Sequence, residues 1–282
     1  MKKIKEYDDP KLFWQEISGF LKKEEAKNSL CLGLSYMFQT HPKNCLYQSA
    51  LFDDDKFLGS LVLSKYKDNA NLLPSPVKDA DVAKELLAVF NKRNHLLSGV
   101  VGEKNSAELY RQHLETQDKK TKTLMTQGIY KCTKVNFPKN DRKITFRKAE
   151  EKDIQLISDW MEGFHQEATP HDPVLNWMEA AQSKINSQMI YLVEKDNLPV
   201  SMAAWSRDIE TSCSVNLVYT PNHYRKQGFA SLVTALLTQK LLESGKKETN
   251  LYTDMTNPSS NKIYRDIGYQ LVADSIHFSV LS

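Results

Sequence analysis

The chain has 282 residues, of which 40% are hydrophobic and 26% charged, with 38 basic against 35 acidic side chains and a formal net charge of +3. Such a length predicts two domains of ordinary size, and such a composition a soluble globular protein rather than a disordered or fibrous one. The near-balance of charge makes no case for nucleic acid or an anionic membrane surface as partner. No stretch is long and apolar enough to span a bilayer. The basic start Met1-Lys2-Lys3-Ile4-Lys5 runs into Glu6, Asp8, Asp9 and Pro10 instead of an apolar signal region. Cys31, Cys45, Cys132 and Cys213 lack metal or redox spacing, which fits a reduced cytoplasmic setting.

In chain order, alternation and turn residues predict strands over 46–52 and 57–66, a helix over 79–91, a strand over 95–101, a helix over 104–115 and a strand over 123–132. The segment 134–143 holds Asn136, Pro138, Asn140 and Asp141 between two strand signals and reads as a linker. It divides a domain over 1–135 from one over 142–282. Beyond it come a strand over 144–147, helices over 153–164 and 175–187, and strands over 189–194, 200–206 and 212–219. The second half thus repeats the order of the first, as a second copy of one half-fold. The expected class is α+β: two tandem domains, each a mostly antiparallel central sheet flanked by helices.

After the strand over 212–219 come Tyr219-Thr220-Pro221, then Arg225-Lys226-Gln227-Gly228-Phe229-Ala230, then a long amphipathic helix. Phe229, Leu232, Val233, Leu236, Leu237 and Leu241 recur at the spacing of one buried face, with Ser231, Thr234, Thr238 and Gln239 off it. The first N–H groups of a helix have no internal acceptor, and the helix dipole adds partial positive charge there. A strand, a glycine-bearing turn and a helix start therefore make an anion cradle suited to a pyrophosphate. At the corresponding place in the first half stands Leu72-Leu73-Pro74-Ser75-Pro76, with no glycine and two residues lacking an N–H. That half is expected to hold no coenzyme.

A strand over 249–254 leads to Asn257-Pro258-Ser259-Ser260-Asn261, a capped helix start. Ser260 and Tyr264, four apart, share a face, Gly268 closes the helix, and a last strand over 271–280 turns Ile276, Phe278 and Val280 inward.

The pattern Arg225-x-x-Gly228-x-Ala230, followed by Asn257-x-x-Ser260-x-x-x-Tyr264-x-x-x-Gly268-Tyr269, resembles the GCN5-related N-acetyltransferases. The likeness covers the whole C-terminal half. The full layout also resembles a group of predicted acetyltransferases in which a degenerate N-terminal half precedes the catalytic one. The resemblance implies acetyl-CoA as cosubstrate and no metal. It implies that the pyrophosphate rests on the backbone of Arg225, Lys226, Gln227, Gly228, Phe229 and Ala230, with charge added by Arg225 and Lys226. Pantetheine would pair with the strand through Leu217, Val218 and Tyr219, and an N–H near Val218 would polarise the thioester carbonyl. Asn257 and Ser260 would contact the coenzyme, and Tyr264 would protonate the leaving sulfur. An amine of a small molecule or peptide would attack directly.

Many relatives place a glutamate on the strand before the cradle, where this chain has Asn216 and no glutamate within 213–219. Glu167 is the first candidate for the base, with His165, His171, Glu194 and Asp208 behind it. Blander readings stand beside these. Gly228 can be an ordinary turn residue, Asn257 a plain N-cap, Tyr264 a half-buried aromatic, and Arg225 and Lys226 a solvated pair. Trp160, Phe164, Trp177 and Trp205 read as core first. The rival functions are an acetyl-CoA-sensing module without turnover and an acyltransferase with a longer acyl group or a non-amine acceptor. Either a monomer or a homodimer fits.

Overall fold

The computed structural model describes residues 1–281. Contacts divide the chain into unit 1, residues 1–129 with 272–281, and unit 2, Tyr130–Leu271. Unit 1 runs β1 (Lys2–Glu6), α1 (Pro10–Leu21), α2 (Ser29–Phe38), β2 (Cys45–Asp53), β3 (Lys56–Tyr66), β4 (Asn69–Pro74), α3 (Ala80–Asn91), β5 (Gly99–Glu103), α4 (Lys104–Glu115) and most of β6 (Lys120–Cys132). Unit 2 runs β7 (Ile144–Lys148), α5 (Ile154–Ala168), α6 (Trp177–Asn186), β8 (Ile190–Lys195), β9 (Leu198–Ser206), β10 (Ser212–Tyr219), α7 (Phe229–Glu243), β11 (Glu248–Asp254) and α8 (Pro258–Asp266). The last strand, β12 (Gln270–Leu281), returns to unit 1. The two halves have the same element order, which bears out the tandem reading.

In unit 1 the strand order is β1-β2-β3-β4-β5-β12. Its ladders are antiparallel except for the parallel β4–β5 pair. In unit 2 the order from the far edge is β7-β8-β9-β10-β11, then the end of β6. Here the parallel pair is β10–β11. A parallel pair needs a crossover, and α3 and α7 are those crossovers. The β8–β9 hairpin turns on Asp196 and Asn197, both at positive φ (52° and 63°), as a two-residue turn matched to strand twist requires.

Unit 2 buries both faces of its sheet. On one, Phe229, Leu232, Val233, Leu237 and Leu241 of α7 pack against Tyr191, Val193, Ala203, Cys213 and Val215. On the other, Ile157, Trp160 and Met161 of α5 with Ala181 and Ile185 of α6 cover Ile190, Leu192, Met202 and Ala204. Each fully buried apolar side chain contributes about 1.5–3 kcal/mol, so these two layers anchor everything attached to them.

Several expectations are corrected. Thr234 and Thr238 are buried rather than off the packed face. The Thr234 hydroxyl donates to Ala230 O at 2.8 Å, and that of Thr238 shares a 2.8 Å hydrogen bond with Tyr269. The strand expected over 95–101 begins only at Gly99. β1, α1, α2 and β4 had no counterpart in the sequence reading. Residues 272–281 lie in unit 1 rather than with the C-terminal domain, because β12 pairs antiparallel with β5, Ser275 opposite Glu103 and Phe278 opposite Val100. Ile276 and Phe278 do point inward, into the core of unit 1.

Candidate active site

Beside β9, β10 is not a regular strand. Asn216 opposes Ala204 and Tyr219 opposes Met202, so three steps on β10 match two on β9. Leu217 takes up the difference at φ +48°. Such a bulge bends a strand and leaves a residue out of the ladder. Asn216 therefore stays off the α7 side, Leu217 joins the α5–α6 layer, and Val218 turns to the α7 layer. On the other edge, the parallel ladder with β11 ends at Ser214 opposite Asn250, although β10 runs on to Tyr219 and β11 to Asp254. Beyond that point the two strands part, and residues 215–219 of β10 present backbone groups toward the gap.

The turn after β10 is held from below. Ser201 Oγ lies 3.1 Å from Tyr219 O and 2.8 Å from Thr220 Oγ1. Lys226 (φ +59°) and Gly228 (φ +81°) both take left-handed backbone. A Cβ built on Gly228 would find nothing within 4 Å. The glycine is thus required by its dihedral, and the space above it is open. Gly228 is the N-cap of α7 and brings no side chain to cap it. The first-turn N–H groups of α7, together with the alternating backbone before them, form a concave set of donors of the kind that takes phosphate.

Unit 1 treats the matching place in the opposite way. The N-cap of α3 is Asp79, whose carboxylate accepts from Asp81 N at 2.9 Å. Asp81 adds a second negative charge in the first turn. Val77 N donates to Ser106 Oγ at 2.8 Å, which clasps the segment before α3 to the start of α4. A Cβ on Gly102 of β5 would lie 3.1 Å from the Pro74 ring of β4. The parallel strands stay together there and the helix start is already capped by anions.

Arg225 does not reach out of the cradle. Its Nε donates to Thr220 O at 2.8 Å, its Nη2 lies 2.8 Å from both oxygens of Glu167, and its guanidinium sits 5.6 Å from the Tyr219 ring centroid. The Tyr219 hydroxyl in turn lies over Gly163 of α5, where a Cβ would come within 2.5 Å of it. Lys226 is exposed and Gln227 half-buried. A cation absent from the sequence reading stands here instead. Arg142 donates from Nη1 to Gln227 O and lies 5.1 Å from the Phe229 ring centroid. It stands far upstream of the motif, so no spacing signal pointed to it.

At the second motif, Asn257 Oδ1 accepts from Ser260 N at 3.0 Å, a true N-cap. Asn261 is buried. Its Nδ2 donates to Asp254 O and Asn257 O at 2.8 and 2.7 Å, and its Oδ1 accepts from the Tyr130 hydroxyl at 2.9 Å. This fixes the corner between β11 and α8. Tyr264 is half-buried, edge-on to Tyr269 with ring centroids 6.1 Å apart. Desolvation pushes its phenol up to about 12. The Tyr269 hydroxyl is shared with Thr238 and Thr249 at 2.8 and 2.9 Å, deep in the core.

The reserve base candidates are mostly committed elsewhere. Glu194 and Asp153 both grip the Arg147 guanidinium, at 2.6 Å each. Asp208 pairs with Lys246. His165 is buried against Trp177, ring centroids 5.0 Å apart, with Nδ1 3.4 Å from Thr169 Oγ1. His171 is half-buried, 3.9 Å from an Asp172 oxygen. Asn216 uses its Nδ2 on Ser206 Oγ. Of the expected core aromatics, Trp160 is buried and Trp177 and Trp205 are partly so. Among the described residues, no helix is long and apolar enough to cross a membrane.

Residues 192–277, which run from β8 to β12, match the family described as FR47-like protein. The chain is also similar to solved structures over nearly its whole length. An acetyltransferase of the GNAT family from Colwellia psychrerythraea is 15% identical with a TM-score of 0.57, covering 99% of this chain and 100% of its own. A tandem GNAT protein from the clavulanic acid biosynthesis pathway is 7% identical with a TM-score of 0.62, covering 100% and 98%. A Drosophila protein solved by structural genomics is 9% identical with a TM-score of 0.71, covering 99% and 98%. No curated protein matches the chain. At these identities the likeness establishes the fold, which is that of the GCN5-related N-acetyltransferases, in tandem.

Proposed function

We propose that this chain, with its tandem GNAT fold, is an N-acetyltransferase that binds one acetyl-CoA in unit 2 and transfers the acetyl group to a primary amine. The observation that carries the proposal is the uncapped α7 start behind Gly228, joined to a strand that bulges at Leu217 and parts from β11. The backbone from Arg225 to Ala230 would hold the pyrophosphate, and Arg142 would add a cation that the exposed Lys226 supplements. The free edge over Leu217, Val218 and Tyr219 would pair with the pantetheine amides. With the bulge at Leu217, an N–H near Val218 would polarise the thioester carbonyl.

The amine nitrogen forms a bond to the acetyl carbon, the carbon–sulfur bond breaks, and the thiolate takes a proton. Tyr264 is assigned that proton because it shares a face of α8 with Ser260, and burial keeps its phenol protonated near pH 7. Asn257 and Ser260 would line the same helix start, with the Asn257 carbonyl oxygen already spent on its cap. The proton lost by the amine needs another acceptor. Glu167 can serve only after releasing Arg225, so we assign it the role of a bracket on the cradle loop and route that proton to water. Cytoplasmic residence fits the four free cysteines.

Calorimetric titration with acetyl-CoA tests the assignment. One equivalent per chain is the expected result, because Asp79, Asp81 and the Val77–Ser106 clasp fill the corresponding place in unit 1. No binding overturns the coenzyme reading, and two equivalents overturn the division of labour.

A further inference from the structure

Resting on that reading of unit 2, we infer that the acceptor amine carries a carboxylate, received by Arg207 on a polar floor formed by β9, β10 and β11. Register sets the floor. Ser214 opposes Ser206 on β9 and Asn250 on β11, and Ser212 and Asn216 alternate onto the same face. It is the face turned away from α7, because Cys213 and Val215 enter the α7 core. Ser212, Ser214 and Asn250 are all at most 1% exposed, yet none is apolar.

Their hydrogen bonds do not close. Ser214 Oγ donates to Asn250 Oδ1, and Asn216 Nδ2 donates to Ser206 Oγ. Ser212 Oγ, Asn216 Oδ1 and Asn250 Nδ2 are buried with no partner among the described residues, and so is Arg207 Nη1. A polar atom buried without a partner is destabilising. Three on β10 and β11, with a fourth just past the end of β9, amount to a prepared surface for a polar molecule. The set is specific, with donors at Arg207 and Asn250, an acceptor at Asn216 and a hydroxyl at Ser212 that does either.

Arg207 gives the floor its sign. It follows β9 directly and holds φ +52°, a conformation that L residues avoid. Its guanidinium lies 4.8 Å from the Tyr252 ring centroid, on β11. Among the described residues no carboxylate forms an ion pair with it, and burial lowers its pKa. Arg207 is half-buried with Nη1 enclosed, and a guanidinium so placed is stabilised by a bound carboxylate, whose two oxygens match its fork. One cation among neutral amides and hydroxyls suits a single negative charge better than the double charge of a phosphate. The floor also adjoins the reacting end of the proposed site, since Asn216 immediately precedes the bulge at Leu217 and Val218.

The test uses amino acids with α-, β-, γ- and ε-amines, each beside its methyl ester. They are titrated calorimetrically into the 282-residue chain and screened for thiol release from acetyl-CoA. At least one free acid should bind, about tenfold or more tighter than its ester, with the same preference in kcat/KM. Arg207→Gln should erase the preference and leave acetyl-CoA affinity unchanged. Esters that bind as well as acids, a preference surviving in Arg207→Gln, or a panel in which no free acid binds would each overturn the inference. Wild-type acid–ester discrimination without any acetyl-CoA binding would keep the carboxylate site and remove the transferase reading instead.

Discussion

Arg225 Nη2 stands 2.8 Å from both carboxylate oxygens of Glu167, so the last turn of α5 is fastened to the loop that enters α7. The two side chains are 37% and 47% exposed, and an exposed pair contributes about 0–1 kcal/mol. Its value is positional: it keeps Arg225 folded back on Thr220 and away from the first-turn N–H groups of α7. Glu167→Gln should change stability by less than about 1 kcal/mol and leave the acidic limb of the pH–rate profile in place. Loss of that limb would return the role of base to Glu167.

Tyr264→Phe should keep acetyl-CoA affinity and lower kcat by ~10²-fold or more, the scale of a missing general acid. Because burial raises the phenol to about 12, it stays protonated throughout the neutral range. The wild-type profile should then show no alkaline decline there from this group. Full activity of the variant would assign the acid to another group or to water.

Gly228 separates two effects. Gly228→Ala puts a Cβ into open space but on a left-handed backbone, costing roughly 1–2 kcal/mol. It should weaken acetyl-CoA modestly. Gly228→Glu adds a carboxylate at the donors themselves and should abolish measurable binding in the same titration. Equal affinities for wild type and Gly228→Glu would place the pyrophosphate elsewhere.

Arg147 lies between Asp153 and Glu194, with side chains only 18%, 6% and 12% exposed. Burial alone would favour a neutral Asp153, but Arg147 and the Glu150 N–H outweigh it, and the net shift is downward. The ionised form is therefore favoured by folding. Its stabilising effect is complete above the ordinary carboxylate range and is lost as pH falls through the lowered folded value. Arg147→Met should cost about 3–5 kcal/mol near pH 7, since it strands two buried carboxylates. Acid should then help the variant, whose unpaired carboxyls fold more readily when protonated. Opposite slopes of Tm against pH below 5 would confirm the arrangement, and parallel slopes would refute it.

The parts of this molecule that were readable in its sequence are those punctuated by glycine, proline and asparagine. Gly228 and Gly268 stand at positive φ, at the start of one helix and the end of another, as the sequence pattern predicts. The bulge was hidden, because Asn216-Leu217-Val218 has the look of any half-buried strand and only the pairing shows the extra residue. α2 was hidden for another reason. Ser29, Cys31, Leu32, Gly33, Ser35 and Phe38 are all buried, so apolar and small residues surround the helix and no amphipathic period survives. β1 carries three lysines and a glutamate in five residues, and two of its charges find partners, Glu85 and Arg93, that lie far away in sequence. The alternation of Ile276 and Phe278 announced a buried face without saying which sheet owned it.

That ownership governs how the protein is made. β5 emerges early in synthesis, but its antiparallel neighbour β12 is translated only after all of unit 2. Until β12 is made, β5 lacks that neighbour and leaves an open sheet edge, a surface prone to mispairing. Expression of 1–135 alone would deprive β5 of that neighbour.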